Sequence, residues 1–256
     1  MTDDPVAHFY DQLADDYHLI YRDWKASMER QGASLDALIR TALGPEPASV
    51  LDCSCGIGTQ AVPLARLGHQ VTGADLSLGA VARAAREAAL RGLALPAVAA
   101  DMRQLPFDDC RFDVVVCADN ALPHLLTAED VHRALAGMRR VLRSGGLLVL
   151  STRPYDELLI TRPVSTPPQQ SEGPDGRVVT FQLWHWHPDG ERYDLEHFRL
   201  APDGTGWDVA VRRSTYWALT QRQLAGLAAD AGFTEISWES PERTGFFQPV
   251  LTARVP

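Results

Sequence analysis

Three acids stand at intervals in the first half of the chain, each closing a short apolar run. Asp52 follows Val50-Leu51, Asp75 follows Gly73-Ala74, and Asp101 follows Ala97-Val98-Ala99-Ala100 and precedes Met102. Asp52 also opens a small-residue turn, Cys53-Ser54-Cys55-Gly56-Ile57-Gly58-Thr59. Glycine in such a turn lets the backbone approach a ligand closely. A carboxylate at the end of each run can accept hydrogen bonds from hydroxyl or amino groups. Any one of these acids alone reads as a cap or turn residue. Three in succession point to one crevice that holds a polar ligand.

A second set of residues could do chemistry on whatever lies beside that ligand. Asp119-Asn120 follows the run Val114-Val115-Val116, and His124 comes four residues later. His124 is a candidate substrate contact or base. The second half is rich in large aromatics: Tyr155, Trp184, Trp186, Tyr193, Tyr216, Trp217, Phe246 and Phe247. On a strand, Trp184 and Trp186 share one face, and His185 and His187 the other. Such rings suit an amine, through cation–π attraction, or a flat heteroaromatic ring, through stacking. An acidic substrate would need a cation, and Arg153, Arg162 and Arg177 are the nearest.

The elements that must position these groups follow from periodicity. Helical spacing runs over 6–43 and stops at Gly44-Pro45. Strands are expected at 49–52, 69–74, 97–100, 112–118 and 147–151. Helices are expected at 59–67, 78–91 (with Ser77 as N-cap) and 129–142, closed by Ser144-Gly145-Gly146. Alternating strands and helices imply a parallel sheet with right-handed crossovers. The pattern breaks over 152–176. Strands then run at 178–187, 191–200 and 207–217, the first two joined by the hairpin signal Pro188-Asp189-Gly190. A helix at 220–231 and strands at 234–239 and 246–254 finish the chain.

Asp52–Gly58, Asp75, Asp101-Met102 and Phe112–Val116 together resemble the class I S-adenosylmethionine-dependent methyltransferases, strongly over about residues 48–151. Ser54 stands where that family usually has its first glycine. The resemblance implies an α/β fold, a Rossmann-like seven-stranded, mostly parallel sheet with an inserted antiparallel β-rich lid. It implies one domain: a helical cap (1–47), a cofactor-binding core (48–152), the lid (153–217) and a C-terminal helix with the last strands (218–256). It implies S-adenosyl-L-methionine as cofactor, with Asp75 on the ribose hydroxyls and Asp101 on the adenine amino group. Tyr10, Tyr17 and Trp24, the Trp184–His187 strand and Phe246-Phe247-Gln248-Pro249 resemble, more narrowly, bacterial enzymes near the glycine and sarcosine N-methyltransferases. There the N-terminal helix closes over the cofactor and the inserted strands roof the substrate. The cofactor residues expected on this basis are Tyr17, Trp24, Asp52, Cys53, Gly56, Gly58, Asp75, Leu76, Asp101, Met102, Asp119 and Asn120. Substrate contacts are expected from Tyr21, His124, Tyr155, Arg162, Trp184, Trp186, Tyr216 and Phe247, with His124 as the catalytic group. N-methylation of an amine or nitrogen heterocycle is the leading expectation. O- or C-methylation and a non-catalytic cofactor-binding role are the alternatives.

Composition narrows the partners. The chain has 256 residues, 45% of them hydrophobic, and a formal net charge of −9. An acidic surface repels phosphate backbones, so the expected partner is a small molecule and not nucleic acid. No apolar run is long enough to cross a membrane. The acidic, polar start carries no secretory signal, and a cytoplasmic protein is expected. Homo-oligomerisation is left open. Four cysteines include the pair Cys53 and Cys55, too close for an ordinary disulfide and without the spacing of a zinc site, so no metal is expected. A dinucleotide-binding dehydrogenase shares the glycine turn, but only two glycines stand here and no hydride-transfer set follows.

Overall fold

The structure is a computed structural model that describes residues 4–173, 176–204 and 206–256. The expectation about a secretory signal rests partly on residues 1–3, and the lid range includes 174, 175 and 205; these lie outside the described residues.

Seven strands form the main sheet, in the order β3-β2-β1-β4-β5-β11-β10. They are β1 (Ser49–Asp52), β2 (Gln70–Asp75), β3 (Ala97–Ala99), β4 (Phe112–Cys117), β5 (Leu142–Ser151), β10 (Thr234–Glu239) and β11 (Val250–Arg254). The first five run parallel, and β11 joins β5 antiparallel. Strand order reverses between β1 and β4, so the crevice opens beyond the ends of Asp52 and Cys117. Val50, Leu51 and Val114–Cys117 are almost wholly buried, as strands covered on both faces must be. Helices α5 (Ala128–Val141) and α7 (Gln221–Asp230) cover one face. Helices α2 (Trp24–Leu43), α3 (Ala61–Arg66) and α4 (Leu78–Ala89) cover the other.

Local chemistry sets the helix starts. The Ser77 hydroxyl accepts from Ala80 N at 3.0 Å and caps α4, as expected. Thr220 and Gln223 form a reciprocal capping box on α7. The single helical stretch expected over 6–43 is in fact three pieces: α1 (Pro5–Leu13), a 3-10 turn (Tyr17–Ile20) and α2. The break falls where Asp15-Asp16 interrupt the apolar spacing and Asp23 caps α2 by accepting from Ala26 N at 2.9 Å.

The second sheet has the order β6-β7-β8-β9, all antiparallel: β6 (Gln169–Gly173), β7 (Gly176–Trp186), β8 (Arg192–Pro202) and β9 (Trp207–Trp217). Its strand β9 packs on α1 and on the short turn Leu122–His124, and β6 and β7 pack on the Tyr17–Ile20 turn. Under it, Tyr155, Trp184, Tyr193, Leu195 and Tyr216 form a separate small core. Three elements carried no signal in the sequence. Helix α6 (Tyr155–Thr161) and α8 (Pro241–Thr244) are short, and β6 is a polar edge strand with no apolar alternation. The strand expected from 246 starts only at Val250, because Phe246–Pro249 turn a corner into the core. Gly145-Gly146 lie inside β5 rather than closing α5, where the β4–β5 register shifts.

Candidate active site

A cleft opens at the carboxyl ends of β1, β2 and β4, lined by Cys53, Gly56, Asp75, Asp101 and Asp119 among others. The turn after β1 builds its floor. Gly56 has φ +50, and a Cβ there would meet nothing within 4 Å, so its bare backbone faces open space. Gly58 has φ +92 and a Cβ would lie 2.7 Å from Val62, so it is a packing glycine below the cleft. Ser54 is not among the positive-φ residues, so a side chain is accommodated where the family has glycine.

Asp52 is 1% exposed, and its Oδ1 accepts from Ser54 N at 3.3 Å. Its Oδ2 is buried without a partner. Burial, with Asp75 nearby, pushes its carboxyl up to about 7. Asp75 accepts from Gly56 N at 2.8 Å and Ser77 N at 2.9 Å, yet burial still raises its carboxyl. Asp11 of α1 binds the same corner through Ser77 Oγ (2.5 Å) and Gly79 N (2.9 Å), so the N-terminal helix closes one side of the cleft. Leu76, Cys53 and Tyr17 line it as well. Trp24 does not: its Nε1 donates to Thr59 Oγ1 at 3.0 Å from outside the turn.

Asp101 and Met102 line the far end. The Asp101 carboxylate is already held by Arg103, with Nε at 2.9 Å and Nη2 at 2.6 Å of Oδ2. Burial works against its charge, but these bonds outweigh it and keep the carboxyl below its usual range. Arg103 also lies 3.5 Å from Asp130 and 3.7 Å from Asp4. Arg103 thus engages both carboxylate oxygens of Asp101, through its backbone N–H and its guanidinium, which the sequence position did not reveal.

Where the cleft turns inward, Asp119 and Asn120 both have positive φ, 56° and 64°. Ser151 holds this corner: its Oγ accepts from Asp119 N at 2.8 Å, and its carbonyl accepts from Asn120 N at 3.1 Å. Ser151 Oγ in turn donates to Gln248 Oε1 at 2.9 Å, which explains the inward turn at Phe246–Pro249. Asp119 Oδ2 accepts from Tyr17 OH (3.1 Å) and Tyr21 OH (2.8 Å). Asn120 Oδ1 accepts from Arg153 N at 3.0 Å, and Asn120 lines only the inner chamber.

His124 lies at the mouth between cleft and lid. Both ring nitrogens are engaged, Nε2 with Tyr10 OH at 2.8 Å and Nδ1 with Ser214 Oγ at 3.1 Å. Burial, with Arg153 near, drives it down to about 3, so the ring is neutral. In this arrangement the ring ties α1 to β9 through both of its nitrogens.

Beyond Asp119 is a small inner chamber lined by Tyr10, Tyr17, Asn120, Arg153, His197 and Tyr216. Arg153 enters it from the end of β5, its guanidinium 4.8 Å from the Trp184 ring centre and 5.1 Å from that of Tyr216. Its Nη1 donates to Tyr193 OH at 2.6 Å, and no carboxylate among the described residues pairs with it. Trp184 stacks on Tyr193 at 4.6 Å, and Tyr155 OH meets Tyr193 OH at 3.0 Å. These aromatics brace the chamber wall, and of them Tyr216 lines it. Trp186 is further out, donating to Pro163 O at 3.0 Å. His185 and His187, on the opposite face, pair with Glu196 and Asp194.

Two expected substrate contacts, Arg162 and Phe247, and the candidate cation Arg177 lie at the surface. Arg162 is exposed at the C-terminus of α6 with φ +42, beside Gly190. Arg177 is exposed on β7. Phe247 is 50% exposed while Phe246 turns inward. Alternation along a chain end cannot tell which of two neighbouring rings faces the core. The thiols of Cys53, Cys55 and Cys117 are buried, and among the described residues no cluster of metal-ligating side chains occurs.

The donor set fits the ligand that the sequence resemblance implies. Asp75 and Asp119 bring acid to the cleft lining and Gly56 leaves backbone open, while Asp52 stands buried beneath the turn with one unpartnered oxygen. A cationic molecule with hydroxyl and amino groups answers all three.

Comparison with known proteins agrees. Residues 50–146 match the family described as "Methyltransferase domain". The chain is similar to a demethylmenaquinone methyltransferase of Beutenbergia cavernae, 34% identical over 234 residues and 86% of each chain. It is also similar to a glycine/sarcosine N-methyltransferase of Parasynechococcus marenigrum, 38% identical over 138 residues, 54% of this chain and 48% of that one. The chain spans about half the length of the glycine/sarcosine N-methyltransferases it matches. The sugar N-methyltransferase KedS8 from Streptoalloteichus shares the fold, with a TM-score of 0.75 and 22% identity, covering 100% of this chain and 96% of that one.

Proposed function

The chain belongs to the class I S-adenosylmethionine-dependent methyltransferases, and on that premise we propose that it methylates the nitrogen of a small amine. One observation carries the choice of nitrogen. Asp119, a partly exposed carboxylate that forms no ion pair among the described residues and meets Arg153 only through its field, stands where the cleft meets the inner chamber. Tyrosines 10, 17, 21 and 216 surround it. Carboxylate and ring faces together favour an ammonium over a neutral hydroxyl or carbon acid.

The bound cofactor supplies the electrophilic methyl group. Asp52, Asp75, Leu76, Asp101 and Met102 would hold it, with Gly56 as the open floor. The chain's own work is alignment: α1 and the Tyr17–Ile20 turn close over the cleft while the lid walls the chamber. Arg153 adds a second element of recognition. Its remaining donors face the chamber, so an acceptor that carries an acidic group as well as its amine suits the space. The glycine/sarcosine relatives act on acceptors named in that class, and KedS8 acts on a sugar nitrogen.

The test is transfer of a 13C-labelled methyl to a panel of glycine, sarcosine, amino sugars and phenols, read by 13C–1H NMR. A new N-methyl signal is the expected result. A methyl found only on oxygen or carbon refutes the choice of nitrogen. Cofactor binding with no transfer to any acceptor class supports the non-catalytic reading.

A further inference from the structure

Asp119 lines both cavities, and its geometry is enforced. Two successive positive-φ residues are pinned by Ser151, and such backbone persists only where its surroundings over-determine it. Tyr17 and Tyr21 both donate to Oδ2, while Oδ1 accepts no hydrogen bond from any described residue. Oδ1 is not among the sealed, unpartnered atoms, so it keeps access to the cavity.

We propose that Asp119 is a catalytic residue whose Oδ1 takes a proton from the acceptor's ammonium group, with Tyr17 and Tyr21 as positioning residues. The inference rests on the nitrogen-acceptor reading above. Elimination among the groups that face this junction supports it. From α1 comes Tyr10, from the following turn Tyr17 and Tyr21, and from β9 Tyr216, all phenols that burial pushes up. The turn after β4 gives His124, bonded at both nitrogens. Strand β8 gives His197, driven down to about 4 by burial and Arg212. Arg153 is a permanent cation. Among the described groups at this junction Asp119 alone sets a carboxylate oxygen free of hydrogen bonds on both cavities, and burial moves its carboxyl upward, toward that task.

The step balances. The acceptor enters as an ammonium ion, gives one N–H proton to Oδ1 and keeps the nitrogen lone pair. That lone pair forms the N–C bond as the C–S bond breaks, and the electron pair of the broken bond stays on sulfur. The product leaves as the methylated ammonium ion, and Asp119 returns its proton to water. Near a desolvated carboxylate, the neutral acid and free amine are less penalised than two buried charges.

The experiment compares wild type with Asp119→Asn and Tyr21→Phe. For the wild type, kcat/KM has an acid limb set by one carboxyl and then levels off. Asp119→Asn must bind the uncharged amine. Its kcat/KM falls on the order of a hundredfold or more at neutral pH and climbs tenfold per pH unit up to the acceptor's own pKa. Tyr21→Phe removes a bond that lowers the Asp119 carboxyl, so its acid limb moves to higher pH. Independently of turnover, 13C NMR of Asp carboxyls in the S-adenosylhomocysteine complex shows, beside the raised groups of Asp52 and Asp75, one further group titrating above the ordinary range that is absent from Asp119→Asn. That complex also reports that each variant is folded. If the wild-type methyl lands on oxygen or carbon, the nitrogen reading fails and this inference with it. If it lands on nitrogen and Asp119→Asn keeps the wild-type profile, or its 13C titrations match the wild type's, the inference alone falls.

Discussion

Replacing Asp52 by Asn should stabilise the ligand-free protein at alkaline pH and weaken its hold on the cofactor. The carboxyl is buried, makes one long hydrogen bond, and moves from 3.8 to about 7. A raised carboxyl means that the folded state keeps a proton the unfolded state has already lost. Folding stability from this group therefore falls as pH rises from about 4 to about 7, and the loss is complete above that. Integrating the linkage between pH 5 and pH 8 gives about 2.5 kcal/mol. For a chain of this size that is about 5–10 °C in melting temperature. Asn carries no such titration. Melting curves of the two ligand-free proteins, followed by circular dichroism from pH 5 to pH 8, should diverge, with wild type losing the larger amount. Adding S-adenosylhomocysteine should raise the wild-type melting temperature more than that of the variant. Parallel ligand-free curves across this range would refute the argument, because they would show that Asp52 does not change its charge there.

Three further outcomes follow from the site. Asp75→Ala should lower S-adenosylhomocysteine affinity tenfold or more by calorimetry, since charged hydrogen bonds are worth roughly 1.5–3 kcal/mol each; unchanged affinity would remove Asp75 from the cofactor site. Arg153→Lys keeps the charge but loses the planar fork between Trp184 and Tyr216; it should raise KM for an acidic amine about tenfold or more while kcat changes little, in steady-state kinetics. His124→Phe should cost about 1–3 kcal/mol in denaturant unfolding, for two lost bonds, and leave the acid limb of kcat/KM where it was; a vanished limb would restore His124 as the base.

The cofactor half of the fold was legible because buried parallel strands are written as unbroken apolar runs with acids at their ends. Asp75 and Asp101 stand at strand ends and line the cleft, and Asp52 ends β1 beneath it. What closes around them was not legible. Arg103 grips Asp101 from two residues away, a pairing that a surface Arg nearby does not reveal. His124 finds its partners 114 and 90 residues distant. Strand β6 is a polar edge, and α6 is too short to show a period. The same limit explains Arg153, one of three arginines that sequence could not rank. Only the fold shows that Arg153 sits against Trp184 and Tyr216 while the other two are at the surface.

The Tyr10–His124–Ser214 tie has a consequence for how this protein breathes. It joins the first helix, the middle of the chain and the last lid strand through a single imidazole. Contacts between such distant segments carry the largest loop-closure entropy. A tie made of two hydrogen bonds between such segments is expected to open at lower free energy than the buried main sheet. Parting that imidazole from either hydroxyl releases both walls together. Entry of reactants and exit of products are then one cooperative opening, with amide exchange in α1 and β9 rising and falling in step.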